Sequence, residues 1–474
     1  MLYFIATILN LVPLVWLVRW GLTLLDNRRN QQNRLVIANF DNFFVAAPTG
    51  KVAKKCLKLA WRCVFLLRQP GDALVVGKAL PGGFLDYVET ILGFRPMIYE
   101  LTGTIDEPLD FIGAIRRDPK LMEQLRRDAP VYGWRLAPLI SCESAFELGD
   151  DLGIPVNGTS RRLVKRGLIR KLNDKIEFAK WCIWRALETA GMPFTGLRPV
   201  LDEALYCQHM QGAVVIREAC SAGGLGNGTF RSHAELLSLR DKLESSLEDT
   251  AAYRAMVGPL LEWVKHHFSV VMHIGSAGPR VVTTCYRHIV NHTESAGGTT
   301  PCPTSTPGLK RAIRIAKEYG WWLWRRGYRG PADMDFGSND LARLVLFESN
   351  ARKVLTGIHI NLEELHQLMW LLEHAPVVVY DEAPSYCSPE LTFEMLKYLA
   401  KQAEQAWRYT QPVAQGTITI VSPPDNTDGG NGWFSFACVA ETQEDAERLR
   451  SHFSELLTQH AERRDYVLKE GLPN

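Results

Sequence analysis

Two strand-like runs, Ala332-Asp333-Met334-Asp335-Phe336 and Ala342 to Glu348, are separated by the turn residues Gly337-Ser338-Asn339-Asp340, and this pairing constrains the fold more than any other stretch. The pattern predicts a β-hairpin. Glu348 and Asn350 differ by two positions, so alternation along a strand puts both on one face. Asp335, Glu348 and Asn350 then converge as three hard oxygen donors. Such a set suits Mg2+, which keeps several of its waters and takes few protein carboxylates. An isolated hairpin of this kind is otherwise a solvated turn whose acids meet nothing, and its company in the chain decides between the two readings.

That company lies upstream. Val214-Val215-Ile216-Arg217-Glu218 is a β-branched run that delivers a cation into Ser221-Ala222-Gly223-Gly224-Leu225-Gly226-Asn227-Gly228. Glycines let backbone N–H groups approach an anion closely, so a strand ending in such a loop can cradle phosphate; a plain flexible connection has the same composition. Asn173 or Asp174 can cap a helix running from Ile176 to Ala190, with Lys175 in its first turn.

A lysine opening a helix, a cation-bearing strand with a glycine loop, an acid after the apolar run Leu260-Leu261-Glu262-Trp263-Val264, and the Asp335…Glu348-Ser349-Asn350 hairpin follow one another in an order that resembles the ATP-grasp superfamily of ligases. The likeness covers residues 170 to 360. The resemblance implies ATP and Mg2+ as cofactors. Lys175, Arg217, Gly223, Gly224, Gly226 and Glu262 would bind the nucleotide, and Asp335, Glu348 and Asn350 the metal. Arg217 and Arg352 would act in catalysis, Arg352 on the transferred phosphoryl group or the carboxylate substrate. One departure stands out: the family usually has lysine where this chain has Arg217, which keeps the charge and changes its geometry.

The flanks extend the resemblance. Leu35 to Asp41, Gly71 to Val76 and Leu148 to Val156 are similar to a pre-ATP-grasp domain, while Gly416 to Ile420 and the helix-like Glu441 to Leu457 resemble the C-terminal part of the pheganomycin-type peptide ligases. The expected architecture is α/β, with α+β character in the catalytic part. It comprises a hydrophobic helix over 1–25, a pre-ATP-grasp domain over 34–160, an ATP-grasp domain over 161–374 and a small α+β C-terminal domain over 375–474. Alternating runs predict a helix over Ser232 to Ala255, a hairpin of Phe268–Ile274 with Arg280–Arg287, a mobile loop over Ser295 to Gly308, and helices at Leu309–Gly320 and Leu362–His374.

Lys and Arg number 54 against 52 Asp and Glu, a net charge of +2 that makes no electrostatic case for a nucleic-acid partner. The ten cysteines form no C-x-x-C and no Cys/His cluster, which reads as reduced core residues. Leu2 to Leu25 is apolar apart from a few positions, among them Pro13 and Arg19, and Arg28, Arg29 and Arg34 follow. Its length approaches a bilayer span, and the basic flank would keep the body on the cytoplasmic side; an amphipathic or buried helix is the competing reading. The run Trp321-Trp322-Leu323-Trp324 reads as helix packing, with a membrane-facing surface as the other reading. His266, His267 and His359 carry no ligand spacing and are assigned no metal.

The resemblance implies an ADP-forming carboxylate–amine ligase that makes an amide or peptide bond through an acyl phosphate, taking small-molecule or peptide carboxylate and amine substrates. The alternative is a non-catalytic ATP-binding module recruited to a membrane assembly.

Overall fold

The structure is a computed structural model that describes residues 32–470, apart from 44–49, 104–107, 221–226, 248, 291–293, 353–355, 382–390, 411–414 and 425–432. The apolar opening of the chain and the glycine loop with Gly223, Gly224 and Gly226 lie outside the described residues. Among those described, no helix is long and apolar enough to cross a membrane.

Four short strands, β1 (Arg34–Ile37), β2 (Ala73–Val76), β3 (Met97–Glu100) and β4 (Arg135–Pro138), form a parallel sheet in the order β3-β2-β1-β4. Leu35, Val36, Ile37 and the whole of β2 are fully buried. Continuous apolar runs are what parallel strands covered on both faces require. A second, antiparallel sheet has the order β5-β8-β6-β7, from β5 (Met192–Thr195), β6 (Val214–Glu218), β7 (Asn227–Phe230) and β8 (Arg254–Pro259). The helices Leu197–Gln211 and His233–Ser246 bury Leu201, Ala204 and Leu236 against it.

The third sheet is antiparallel and has eight strands in the order β13-β12-β9-β10-β11-β14-β16-β15. They are β9 (His266–Gly275), β10 (Gly278–Val290), β11 (Glu294–Thr300), β12 (Gly330–Ser338), β13 (Leu344–Asn350), β14 (Val377–Asp381), β15 (Gly416–Ser422) and β16 (Ser435–Ala440). The helix Leu309–Arg325 covers one face at the β9–β12 end, where Phe268, Val270, Met272, Met334 and Phe336 meet Ala312, Ala316 and Leu323. At the far end Val378, Ile420 and Val439 join one continuous core with Leu35 and Val75 of the first sheet. The strands of the C-terminal part therefore continue the eight-stranded sheet through β11 rather than forming a sheet of their own.

Three expectations are corrected. The helix from Lys175 ends at Trp184, not near Ala190, because Ala186 turns left-handed at φ 52° and the chain must enter β5. The Ser232–Ala255 helix stops at Ser246, since Arg254 already belongs to β8 between β5 and β6. The stretch beginning at Ser295 is no loop: β11 runs from Glu294 to Thr300 between β10 and β14.

The hairpin forms as the sequence predicts, with Asp335 opposite Glu348 and Asp333 opposite Asn350. Between these pairs and Phe336–Leu346 the register shifts, so Phe347 is an extra, bulged residue. Its consequence is a change of parity. Leu344 and Leu346 face the helix-covered core with Ser338 and Phe336, whereas beyond the bulge Ser349 faces the core with Met334 and Glu348 and Asn350 turn to the other side. Without the bulge, the alternation that carries Leu346 inward would carry Glu348 inward too.

Candidate functional site

The face of the large sheet opposite the Leu309–Arg325 helix collects charge. Lys175 reaches it from the first turn of its helix, which Asp174 caps by accepting from the Ile176 and Glu177 amides, as its sequence position predicts. Asp174 is itself held by Arg254 at 2.6 Å, and the Lys175 amide donates to the Ala219 carbonyl at 2.8 Å, so β6 and β8 fix where the helix begins. The lysine is 4% exposed, and its Nζ lies 3.2 Å from the Glu348 carboxylate. Asn350 Nδ2 donates to Glu348 Oε1 at 3.4 Å.

Asp335 accepts from the Ser269 hydroxyl on the neighbouring strand. Arg287, near the end of β10, donates from Nε to Ser269 Oγ at 2.7 Å, and its guanidinium stands 3.4 Å from both Asp333 and Asp335. Arg352, 8% exposed, completes the buried charges of this face. Arg217 sits at the end of β6, opposite Asn227 of β7 and Met256 of β8. Its guanidinium donates to the Ala190 carbonyl at 3.0 Å and lies 5.6 Å from the centroid of the bulged Phe347 ring. That ring stacks on His267 at 5.4 Å and rests on Gly337, where a Cβ would come within 2.7 Å of it.

Burial and neighbouring charge drive the acids apart. Asp333 is pushed up to about 8, by burial first and the Asp335 charge second, against Arg287 and Arg352. Asp335 is also raised by burial, with Glu348 adding to it and Arg287 opposing. Burial works upward on Glu348 too, but Lys175 and Arg352 outweigh it and hold that carboxyl at about 2. Burial lowers Arg217 to about 10, with Glu348 resisting. Two acids on one face that resist ionising beside a third held charged form a site that gains from an added cation.

A divalent cation fits this chemistry in one specific way. Asp333 is fully buried and its Oδ1 has no hydrogen-bond partner. Among the described residues no group of three or more His, Cys, Asp or Glu side chains converges closely enough to hold a metal alone. A cation here would therefore rest on the Asp335 and Glu348 carboxylates and the Asn350 amide oxygen, and take the rest of its shell from water or substrate oxygens, which is the habit of Mg2+.

Five of the residues singled out in the sequence stand together on the described part of this face or at its rim: Lys175, Asp335, Glu348, Asn350 and Arg352. Arg217 is linked to them through Phe347. Glu262 is not at the end of a strand; β8 stops at Pro259, and Glu262 is exposed in the turn that follows. Arg287 and Asp333 were missed. Asp333 precedes Asp335 by two positions, so the two acids had to share a face, and Arg287 follows Thr283 and Cys285 on the same alternation.

Residues 60–154 match the family model of the pre ATP-grasp domain. Three solved structures illustrate the likeness of the whole chain. N5-carboxyaminoimidazole ribonucleotide synthetase from Thermus thermophilus is 11% identical, with a TM-score of 0.51 over 89% of this chain and 98% of that one. Biotin carboxylase from Campylobacter jejuni, solved as a β-γ-ATP complex, is 13% identical, with a TM-score of 0.51 over 90% and 95% of the two chains. The biotin carboxylase domain of the Hydrogenobacter thermophilus 2-oxoglutarate carboxylase, solved with MgADP, ADP and bicarbonate, is 13% identical, with a TM-score of 0.51 over 89% of each chain. No curated protein sequence matches. At such identities the likeness is one of fold: a pre-ATP-grasp domain leads into the fold of the ATP-grasp ligases.

Proposed function

We propose that this chain, with its pre-ATP-grasp domain ahead of an ATP-grasp fold, is an ADP-forming ligase that joins a carboxylate to an amine in an amide or peptide bond. The observation that carries the reading is the hairpin face itself, where Glu348 stands 3.2 Å from Lys175 and Asp335 lies under Arg287. ATP and Mg2+ as partners are supported by the neighbours solved with a β-γ-ATP complex and with MgADP. When bound, Mg2+ would supply positive charge that offsets the charge of the nucleotide phosphates. Asp335, Glu348 and Asn350 would hold the ion.

Lys175 and Arg217 would bind nucleotide phosphates, and Glu262 would meet the adenine or ribose edge. Arg352, with Arg287 across the face, would bind the incoming carboxylate and stabilise charge developing on the transferred phosphoryl group, which is where most of the barrier lowering in such transfers arises. The glycine segment with Gly223, Gly224 and Gly226 would close over the phosphates and exclude water, because an acyl phosphate left wet hydrolyses. The apolar Leu2–Leu25 stretch followed by Arg28 and Arg29 supports a place at the cytoplasmic face of a membrane.

A second reading has its own observation. Arg217 already serves the Ala190 carbonyl and the Phe347 ring, as suits a module that binds nucleotide without turning it over. Phosphate release from ATP, measured with a pool of amino acids and small carboxylates, separates the two. Ligase activity predicts release that rises with the pool. Thermal stabilisation by ATP with no release at any pool composition would leave only the binding module.

A further inference from the structure

The helix Leu309–Arg325 is amphipathic in an unusual sense. Its inner face buries Ala312, Ile315, Ala316, Tyr319 and Leu323. Opposite these, at steps of three and four residues, stand Lys310, Arg314, Lys317, Trp321 and Arg325, so four cations flank one tryptophan on a single stripe. At 1.5 Å per residue the stripe is about 22 Å long. All four cations are exposed, and none has a carboxylate at ion-pair distance among the described residues. Glu318, the one acid of this helix, is taken up by Arg185 at 2.5 Å. The chain as a whole is balanced, at 54 basic against 52 acidic residues, so this stripe is a local segregation of charge.

Apolar surface accompanies the charge. Arg185 ties the end of the Lys175–Trp184 helix to this one, and there Trp184 is 73% and Ile183 45% exposed. Trp322 and Trp324 pack inward or bond locally, with Trp324 Nε1 donating to the Ser276 carbonyl at 2.9 Å. Trp321 is half-buried on the outer stripe. The Trp321 ring also packs, lying on Gly278 and edge-on to Trp324 at 5.5 Å, so of the two readings of the tryptophan run packing holds for all three, and Trp321 alone also reaches the outer stripe.

We propose that this stripe docks on an anionic lipid surface. Cations along a helix, with a tryptophan among them and further exposed apolar side chains beside them, suit a boundary that is negative at the headgroups and apolar beneath. A nucleic acid would use the charges and leave Ile183 and Trp184 without a purpose. The opening stretch Leu2–Leu25, apolar and followed by Arg28 and Arg29, has the same preference.

The test uses the full chain and vesicles of phosphatidylglycerol or of phosphatidylcholine. The parent protein is expected to bind phosphatidylglycerol vesicles about tenfold more tightly than phosphatidylcholine, with the difference shrinking as salt rises. Changing Lys310→Ser, Arg314→Ser, Lys317→Ser and Arg325→Ser together should remove most of that difference, leaving only the share that Arg28 and Arg29 carry, leave phosphatidylcholine binding as it was, and leave ATP-driven phosphate release in solution unchanged. Exchanging lysine for arginine and arginine for lysine at the four positions should preserve the difference. Should the fourfold serine variant not fold, Lys317→Ser with Arg325→Ser is expected to reduce the difference about threefold. No difference between the two lipids, serine variants that bind as the parent does, or duplex DNA that displaces the vesicles through the same four residues would each overturn the proposal.

Discussion

The two faces of the eight-stranded sheet are built by the same strands and do opposite work. Under the Leu309–Arg325 helix, Phe268, Val270, Met272, Met334 and Phe336 are at most 1% exposed and contribute apolar burial. One residue along each strand, the other face carries Ser269, Asp333, Asp335, Arg287 and Glu348. There Asp333 is fully buried with an oxygen that bonds to nothing, a cost that stability alone would not select. The comparison teaches that period-two alternation separates folding from chemistry, and that the bulge at Phe347 lets β13 serve both.

The faces can be told apart by what their loss does. Phe336, stacked on Phe268 at 5.8 Å, belongs to the first. Phe336→Ala should lower the unfolding free energy by about 3–5 kcal/mol in urea titration, the usual loss for a large buried ring. Destabilisation below about 1 kcal/mol would mean that this face is not the core. On the other face Lys175→Met should weaken ATP binding by about ten- to a hundredfold, as expected for a buried charge-assisted contact, while the unfolding midpoint moves little. Calorimetric titration with ATP measures it, and unchanged affinity would remove Lys175 from the nucleotide site.

The hairpin, the Asp174 cap and the β6 cation were legible because each rests on local pattern: turn residues, a capping acid, a β-branched run. What escaped depended on contacts distant in sequence. Gly297 and Gly298 look like loop residues, yet β11 forms because β10 and β14 supply its partners. Gly298 leaves room for the Tyr380 ring, whose hydroxyl a Cβ there would approach to 2.8 Å. Gly191 is similar, since its Cβ would lie 2.7 Å from the Val257 carbonyl where β5 meets β8, so the preceding helix had to end early. The bulge had no signature in the run Leu346-Phe347-Glu348, and counting by two reached the correct face for Glu348 and Asn350 relative to each other but not relative to Leu346. Arg287 became visible only when β10 was laid beside β9 and β12.

A smaller effect sharpens the contrast through pH. Glu363 accepts from the Thr300 hydroxyl at 2.7 Å on the polar side of the sheet, and burial pushes its carboxyl up to about 7 despite that bond. A raised carboxyl binds its proton more tightly in the folded protein. Its stabilising contribution is therefore present below the unfolded value and is lost as pH rises through about 7. The difference in unfolding free energy between parent and Glu363→Gln should drift against the parent between about pH 5 and pH 8, by about 2.5 kcal/mol. A difference independent of pH would place that proton elsewhere.

The most direct test of the hairpin as the seat of chemistry is the rate of ADP and phosphate release by Glu348→Gln, measured beside its unfolding midpoint with Mg2+ and ATP in excess. Loss of about a hundred- to a thousandfold in rate, with the midpoint held, is the expected result for removing a preorganised charge from a phosphoryl-transfer site. A rate close to that of the parent, with the fold intact, would contradict it.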